Sequence, residues 1–151
     1  MSGINLIAKN RRAFHEYEIE EKIECGVSLE GTEVKSIRDG KLSFSDSYGR
    51  IRGSELWLVG LHVSEYKQGN IHNHEPLRDR KLLVHRDELK RLQRKVDERG
   101  YTLVPLSVYL KGDMIKVELG LGKGKKLYDK REDLKRKAQK RDAERELRGR
   151  Y

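Results

Sequence analysis

The tightest constraint on the fold lies in residues 104–121. Val104, Leu106, Val108 and Leu110 recur at every second position, and beyond Lys111-Gly112-Asp113 the residues Ile115, Val117, Leu119 and Leu121 repeat the pattern. A period of two is the side-chain period of a β-strand, and a glycine-bearing break between two such runs reads as a hairpin. Lys116, Glu118 and Gly120 fill the intervening positions, so one face of the hairpin is expected to be core and the other to meet solvent or a ligand.

Other segments agree with a β-rich body. Tyr17, Ile19, Glu21 and Ile23 alternate with Glu16, Glu18, Glu20 and Lys22, which predicts a strand with Tyr17, Ile19 and Ile23 on one face. Residues 55–61 are apolar on both faces and read as a central, doubly covered strand. Helical spacing is confined to 86–99, where Leu89, Leu92 and Val96 share a stripe before Gly100, and to a short turn over 33–38 ended by Asp39-Gly40. The expectation is a mainly β protein: a small closed barrel of at least five strands, with one helix filling an opening.

Charge is distributed unevenly along the 151 residues. Residues 123–151 hold 13 of the 34 basic and 6 of the 25 acidic side chains, so they carry +7 of the net +9. Residues 1–122 are nearly balanced. A two-part organisation follows, a barrel over 1–122 and a basic tail over 123–151 that is expected to be disordered alone and to become helical against phosphates. The excess of positive charge points to a polyanion, nucleic acid before others.

Several function classes find little support. His72 and His74 stand close together, but no cysteine or carboxylate spacing completes a metal site around them, and no cofactor is expected. Gly120, Gly122 and Gly124 fit neither the Walker nor the dinucleotide-binding pattern, and read instead as a flexible exit from the last strand that lets RNA approach. No nucleophile–base spacing is evident, so no catalytic residue is assigned. The single Cys25, the polar start of the chain and the lack of any long apolar run lead to the expectation of a cytoplasmic protein without a membrane role.

Longer motifs then carry a resemblance. Asn10-Arg11-Arg12-Ala13-Phe14-His15-Glu16-Tyr17, Gly31-Thr32-Glu33-Val34-Lys35-Ser36-Ile37-Arg38, Asn73-His74-Glu75-Pro76, Gly100-Tyr101-Thr102-Leu103-Val104-Pro105-Leu106 and Lys123-Gly124-Lys125-Lys126-Leu127-Tyr128-Asp129-Lys130-Arg131 follow one another as in the SsrA-binding protein (SmpB) family. The resemblance covers nearly the whole chain. It implies an oligonucleotide-binding type barrel that binds the tRNA-like domain of transfer-messenger RNA (tmRNA). It also implies delivery of the alanyl form with elongation factor Tu and rescue of stalled ribosomes without catalysis.

By the same resemblance, Asn10, Arg11, Arg12, His15, Tyr17 and Glu24 lie in or beside the RNA-binding surface of the barrel. Lys35 and Arg38 are phosphate-contact candidates if one short helix presents them together. Tyr17 reads either as core or as a stacking platform, and Glu24 either as an acceptor for RNA or as a clamp on a basic neighbour. Gly124, Lys125, Lys126, Tyr128, Asp129, Lys130 and Arg131 match the family segment that reaches the decoding centre of the small subunit, where Tyr128 could stack on rRNA. Two departures are visible. Phe14 stands where the family often has a basic residue, which puts one phosphate contact in doubt, and Gly122 stands where it often has alanine. A ribosomal or general RNA-binding protein without tmRNA preference, or an RNA-processing enzyme, would share the charge pattern.

Overall fold

The computed structural model describes residues 4–67, 73–98 and 100–124. In chain order these form β1 (Ile4–Lys9), α1 (Arg11–Glu16), β2 (Tyr17–Val27), α2 (Gly31–Arg38), β3 (Leu42–Ser43), β4 (Tyr48–Arg52), β5 (Glu55–Val59), β6 (His62–Val63), β7 (Arg80–Leu83), α3 (Arg86–Asp97), β8 (Tyr101–Lys111) and β9 (Met114–Gly124). Seven strands pair in the order β1-β8-β4-β5-β7-β2-β9, and β9 pairs back onto β8. Strands β8, β4, β5, β7, β2 and β9 therefore close into a ring, the barrel expected from the sequence. β5 is central as expected, between β4 and β7.

The hairpin that dominates the sequence is β8–β9, joined at Lys111↔Met114 through Gly112-Asp113. Gly112 adopts φ 62 there, the left-handed backbone that the first position of a tight hairpin turn demands. β8 is long enough to serve two partners on its other edge, β1 along Ser107–Lys111 and β4 at Leu103. β9 continues to Gly124, two residues past the boundary expected at 122, because Lys123 and Gly124 still pair with Glu18 and Tyr17.

Inside the ring, Ile23, Cys25, Leu56, Leu58, Leu82, Val108, Val117, Leu119 and Leu121 form the main core with Ile37 of α2 and Leu92 of α3. Each fully buried leucine there contributes about 2 kcal/mol of hydrophobic stabilisation. Of the stripe predicted on α3, Leu92 is fully buried while Leu89 and Val96 pack at its margin. The burial of Cys25 pushes its thiol up to about 12, so it remains protonated and unreactive.

Two bulges break the simple alternation. On β8, Pro105 pairs with Leu119 and Ser107 with Glu118, leaving Leu106 as an extra residue. On β2, Ile19 pairs with Gly122 and Glu21 with Leu121, leaving Glu20 extra. An extra residue shifts the phase of a strand by one, so side chains on either side of it change face. Val104 and Leu106 therefore leave the core face of Val108 and join Ala13, with Phe14, Tyr17 and Ile19 packed around them, in a second cluster outside the ring. This corrects the single-face reading of both segments: Ile23 is in the main core, but Tyr17 and Ile19 are not.

The short helix begins earlier than expected, at Gly31, and is pinned through Glu33, which is 0% exposed. Glu33 accepts from the backbone N–H of Glu30 at 2.8 Å, from Arg78 at 2.5 Å and from Arg80 Nε. Arg80, also 0% exposed, donates its remaining nitrogens to the carbonyls of Leu61 at 2.7 Å and Pro76 at 3.1 Å. Burial by itself would raise the Glu33 carboxyl. The hydrogen bonds from Arg78 and Glu30 and the charge of Arg80 bring it below the ordinary range instead.

Candidate nucleic-acid interface

The glycines of β9 lie beneath the side chains of Leu106 and Ile19, which belong to the cluster that receives Ala13 of α1. Gly120, Gly122 and Gly124 alternate on the outer face, where a side chain at 120 would place its Cβ 2.8 Å from Leu106 Cδ1 and one at 122 would meet the Glu18 carbonyl at 2.6 Å. Leu106 and Ile19 fill the first two gaps, and Tyr17 approaches the third at 3.8 Å. The expected flexible exit is thus a close-packed trough for Gly120 and Gly122, and Gly122 admits no alanine on this backbone without a shift.

Asn10 then fixes α1 over the β8 bulge. Its Oδ1 accepts from the N–H of Ala13 at 3.3 Å, its Nδ2 donates to the Pro105 carbonyl at 2.8 Å, and its backbone N–H donates to the Leu106 carbonyl at 2.7 Å. An asparagine cap of this kind satisfies a helix-end donor that would otherwise go unpaired. Both polar atoms of the Asn10 side chain are engaged by protein. Asn10 therefore positions the helix, and the exposed side chains around it remain to meet a ligand.

Those side chains are mainly cationic. Arg11, Arg12 and His15 are exposed on α1, and among the described residues Arg11 has no ion-pair partner. Arg12 is bonded to Glu16 at 2.8 Å and lies 3.6 Å from Asp46, and these carboxylates raise its pKa, Glu16 foremost. Phe14 does more than replace a cation. Its ring gathers the ammonium groups of Lys9 at 5.2 Å and Lys22 at 5.5 Å, so positive charge is held at this spot by neighbours of an apolar side chain. Tyr17 is half-buried in the second cluster, the core-like alternative of its two readings.

Glu24 lies seven residues further along β2, roughly 23 Å from Tyr17 at the rise of an extended strand. One carboxylate oxygen accepts from the Tyr109 hydroxyl at 2.5 Å and the other from Lys111 Nζ at 3.2 Å. The Tyr109 bond first, then Lys111, holds the Glu24 carboxyl below its ordinary range. Glu24 thus clamps a basic neighbour. Lys35 and Arg38 are both exposed on α2, but their side chains diverge. Lys35 lies 5.4 Å above the Tyr66 ring, whereas Arg38 donates to the Asp113 carbonyl at 3.4 Å at the hairpin tip.

The candidate residues accordingly fall into one group around α1 and a second, Glu24 and Arg38, near the hairpin tip, while Lys35 lies apart over Tyr66. Lys9, Lys22 and Lys111 belong to this surface, with the buried Tyr109 beneath it bonded to Glu24, and all four went unassigned in the sequence. Lys22 and Tyr109 occupy the outward phase of their strands, as the alternation with Ile23 and Val108 already indicated. Lys125, Lys126, Tyr128, Asp129, Lys130 and Arg131 lie outside the described residues, as does His72.

His74 is a structural residue, 3% exposed, with Nδ1 2.8 Å from the Thr32 hydroxyl and Nε2 2.8 Å from the Val63 carbonyl. The carbonyl only accepts, so Nε2 carries the proton and Nδ1 accepts from Thr32. Among the described residues no cluster of three His, Cys, Asp or Glu side chains is placed to hold a metal, and no helix is long and apolar enough to cross a membrane.

Residues 7–149 match the family model described as SmpB protein. The SsrA-binding protein of Carboxydothermus hydrogenoformans is 55% identical over 146 residues, covering 97% of this chain and 98% of that protein. That of Borreliella burgdorferi is 56% identical over 147 residues, with the same coverage of 97% and 98%. A solved structure described as "tmRNA-SmpB: a journey to the center of the bacterial ribosome" contains a chain that is 49% identical. It superposes with a TM-score of 0.67 over 80% of this chain and 85% of that one.

Proposed function

Because the chain belongs to the SmpB protein family, we propose that it binds the tRNA-like domain of tmRNA and carries it to stalled ribosomes for trans-translation. The observation that carries this reading is the match, over most of both chains, to the tmRNA-SmpB structure. The geometry supplies the chemistry. Arg11 and Phe14 of the helix, held to the barrel by Asn10, Ala13 and Leu106, together with Lys9 of β1 and Lys22 of β2 over the Phe14 ring, offer phosphate neutralisation beside an aromatic side chain. Contacts of this kind position an RNA, and the shape of the barrel face selects it.

Division of labour follows the charge. The barrel, nearly balanced in charge, holds the tRNA-like domain, while the basic tail, which carries +7 from 123 onward, engages small-subunit rRNA at the decoding centre and the empty mRNA channel. Elongation factor Tu takes part through the alanyl group of the RNA. The protein acts as a binding factor working in the cytoplasm, and no step of bond chemistry is assigned to it. The test is a titration of the full chain and of residues 1–124 against the tRNA-like domain and ordinary tRNA at several salt concentrations. Preference for the tRNA-like domain by both constructs is expected. Equal, salt-labile binding of both RNAs would reduce the protein to a general RNA binder.

A further inference from the structure

The last residues of β9 are tied down at the end of the barrel away from the hairpin tip. Lys123 pairs with Tyr101 of β8 and with Glu18 of β2, and Gly124 pairs with Tyr17. The half-buried Tyr101 ring is the centre of this end. Lys123 Nζ lies 4.7 Å from its centroid, and Lys95 Nζ of α3 lies 5.6 Å from it. The Tyr101 hydroxyl donates to Glu20 at 2.6 Å. Glu20 is the extra residue of the β2 bulge, and a bulge re-aims the side chain it carries. The bond to Glu20, before all else, pushes the Tyr101 hydroxyl up to about 12, so it remains a donor at neutral pH. Side chains of β2, α3, β8 and β9 therefore meet on one ring.

The end of a strand frays unless something holds it. With glycine at 120, 122 and 124, β9 has no outer-face side chains of its own to grip its neighbours near this end, and glycine within a strand weakens it. The Tyr101 group supplies that hold on the opposite face, through Lys123. Its loss would release Lys123 and Gly124 and add two residues, about 7 Å of slack at about 3.3 Å each, to the basic segment that follows. When one protein engages two separate targets, the effective concentration of the second contact depends on the length and stiffness of the connection. Two residues at the root of the tail therefore count.

Resting on the reading that the barrel holds one RNA and the tail engages another, we propose that Tyr101, with Glu20, Lys95 and Lys123, is a positioning device that fixes the point at which the tail leaves the barrel. It acts through the backbone of β9. Glu20 orients the ring, the ring face holds the Lys123 ammonium, and Lys123 keeps the final pairs of β9 closed. The start of the tail is thereby held beside Tyr17, at a set distance from α1, and each approach of the tail to the small subunit begins from one point. Opening the device lowers tail engagement and leaves RNA selection by the barrel as it was.

The test compares the full chain with Y101L, which removes the ring, Y101W, which keeps an aromatic face, and the pair K123M and K123R at an exposed position. Amide hydrogen exchange at 122–124, titration against the tRNA-like domain, and peptide tagging in a reconstituted translation assay at several concentrations of the protein–tmRNA complex are measured for each. Y101L and K123M are expected to quicken exchange at 122–124 by about threefold or more, as loss of exposed cation–π contacts does. Their affinity for the tRNA-like domain should stay at the wild-type value, while the concentration of complex giving half-maximal tagging rises by about threefold or more at an unchanged maximal rate. Y101W and K123R should restore both. Insertion of Gly-Ser after Gly124 adds the same slack with the ring intact, and should reproduce the tagging defect. Wild-type exchange or tagging in Y101L, or normal tagging with the insertion, would overturn the proposal. So would a defect in K123M alone, which would place Lys123 directly on RNA, or an equal fall in tagging and in affinity for the tRNA-like domain, which would make Tyr101 a matter of general stability. Should Y101L fail to fold, K123M, K123R and the insertion decide between the same outcomes. A wild type without preference for the tRNA-like domain removes the underlying reading, and the proposal with it.

Discussion

Replacing Gly120 by alanine tests whether the outer trough of β9 sets the position of α1, the helix proposed to face RNA. The new Cβ would lie 2.8, 2.9 and 3.1 Å from Cδ1, Cγ and Cδ2 of Leu106. Leu106 is 0% exposed and clustered with Ala13, itself 4% exposed, so it has little room to retreat except by lifting α1. Overpacking of this kind costs about 1–3 kcal/mol. The expected result of G120A is that loss in urea unfolding, together with weaker binding to the tRNA-like domain. If the seat of α1 is lost, Arg11 and Arg12 no longer hold their positions, and the log–log salt slope should fall by about 1.4–1.8, at about 0.7–0.9 per phosphate contact. Shortening the opposing side chain should relieve the clash, so G120A/L106V should recover part of both losses. A G120A protein with wild-type stability and salt slope, or a double mutant no better than the sum of its singles, would refute the trough as the determinant of α1.

Glu33→Gln leaves the Arg80 guanidinium buried against a neutral amide, and breaking a buried pair in this way costs about 3–5 kcal/mol, a shift of about 2 M in the urea midpoint at a slope of about 2 kcal/mol/M. Because the folded Glu33 carboxyl titrates below its unfolded value, its contribution is complete above pH of about 4.3 and is lost as pH falls through the folded value, so E33Q should also flatten the acid limb of the stability profile. Tyr109→Phe removes the main bond holding Glu24 low, so a carboxyl NMR titration should show Glu24 moving up toward the ordinary range, with about 1 kcal/mol lost in unfolding. Replacing Asp129-Lys130-Arg131 by alanines should spare tmRNA binding and abolish peptide tagging in a reconstituted translation assay, and normal tagging would remove these residues from the ribosome step.

Local signals in the sequence determined the β8–β9 hairpin, its turn at Gly112, helix α3 and the division between a balanced body and a basic tail. Each depends on residues within a few positions of one another: a period of two, a glycine between two alternating runs, a stripe at i, i+3 and i+7, a run of like charge. Motif resemblance added the expectation that Arg11, Arg12 and His15 face RNA, and the structure shows all three exposed. Helix α1 itself escaped notice, because six residues with Ala13 as the only buried one carry almost no helical period. Tertiary structure alone decided which face each side chain would serve. The bulges at Leu106 and Glu20 arise from pairing with β9, and they turn Val104, Leu106, Ile19 and Tyr17 outward to build the seat of α1. The partners of Glu24 and Glu33 were equally out of reach, because Tyr109 is 85 residues from the first and Arg80 is 47 from the second. A charge pair separated by that much chain leaves no periodic trace, and only closure of the barrel brings its members together.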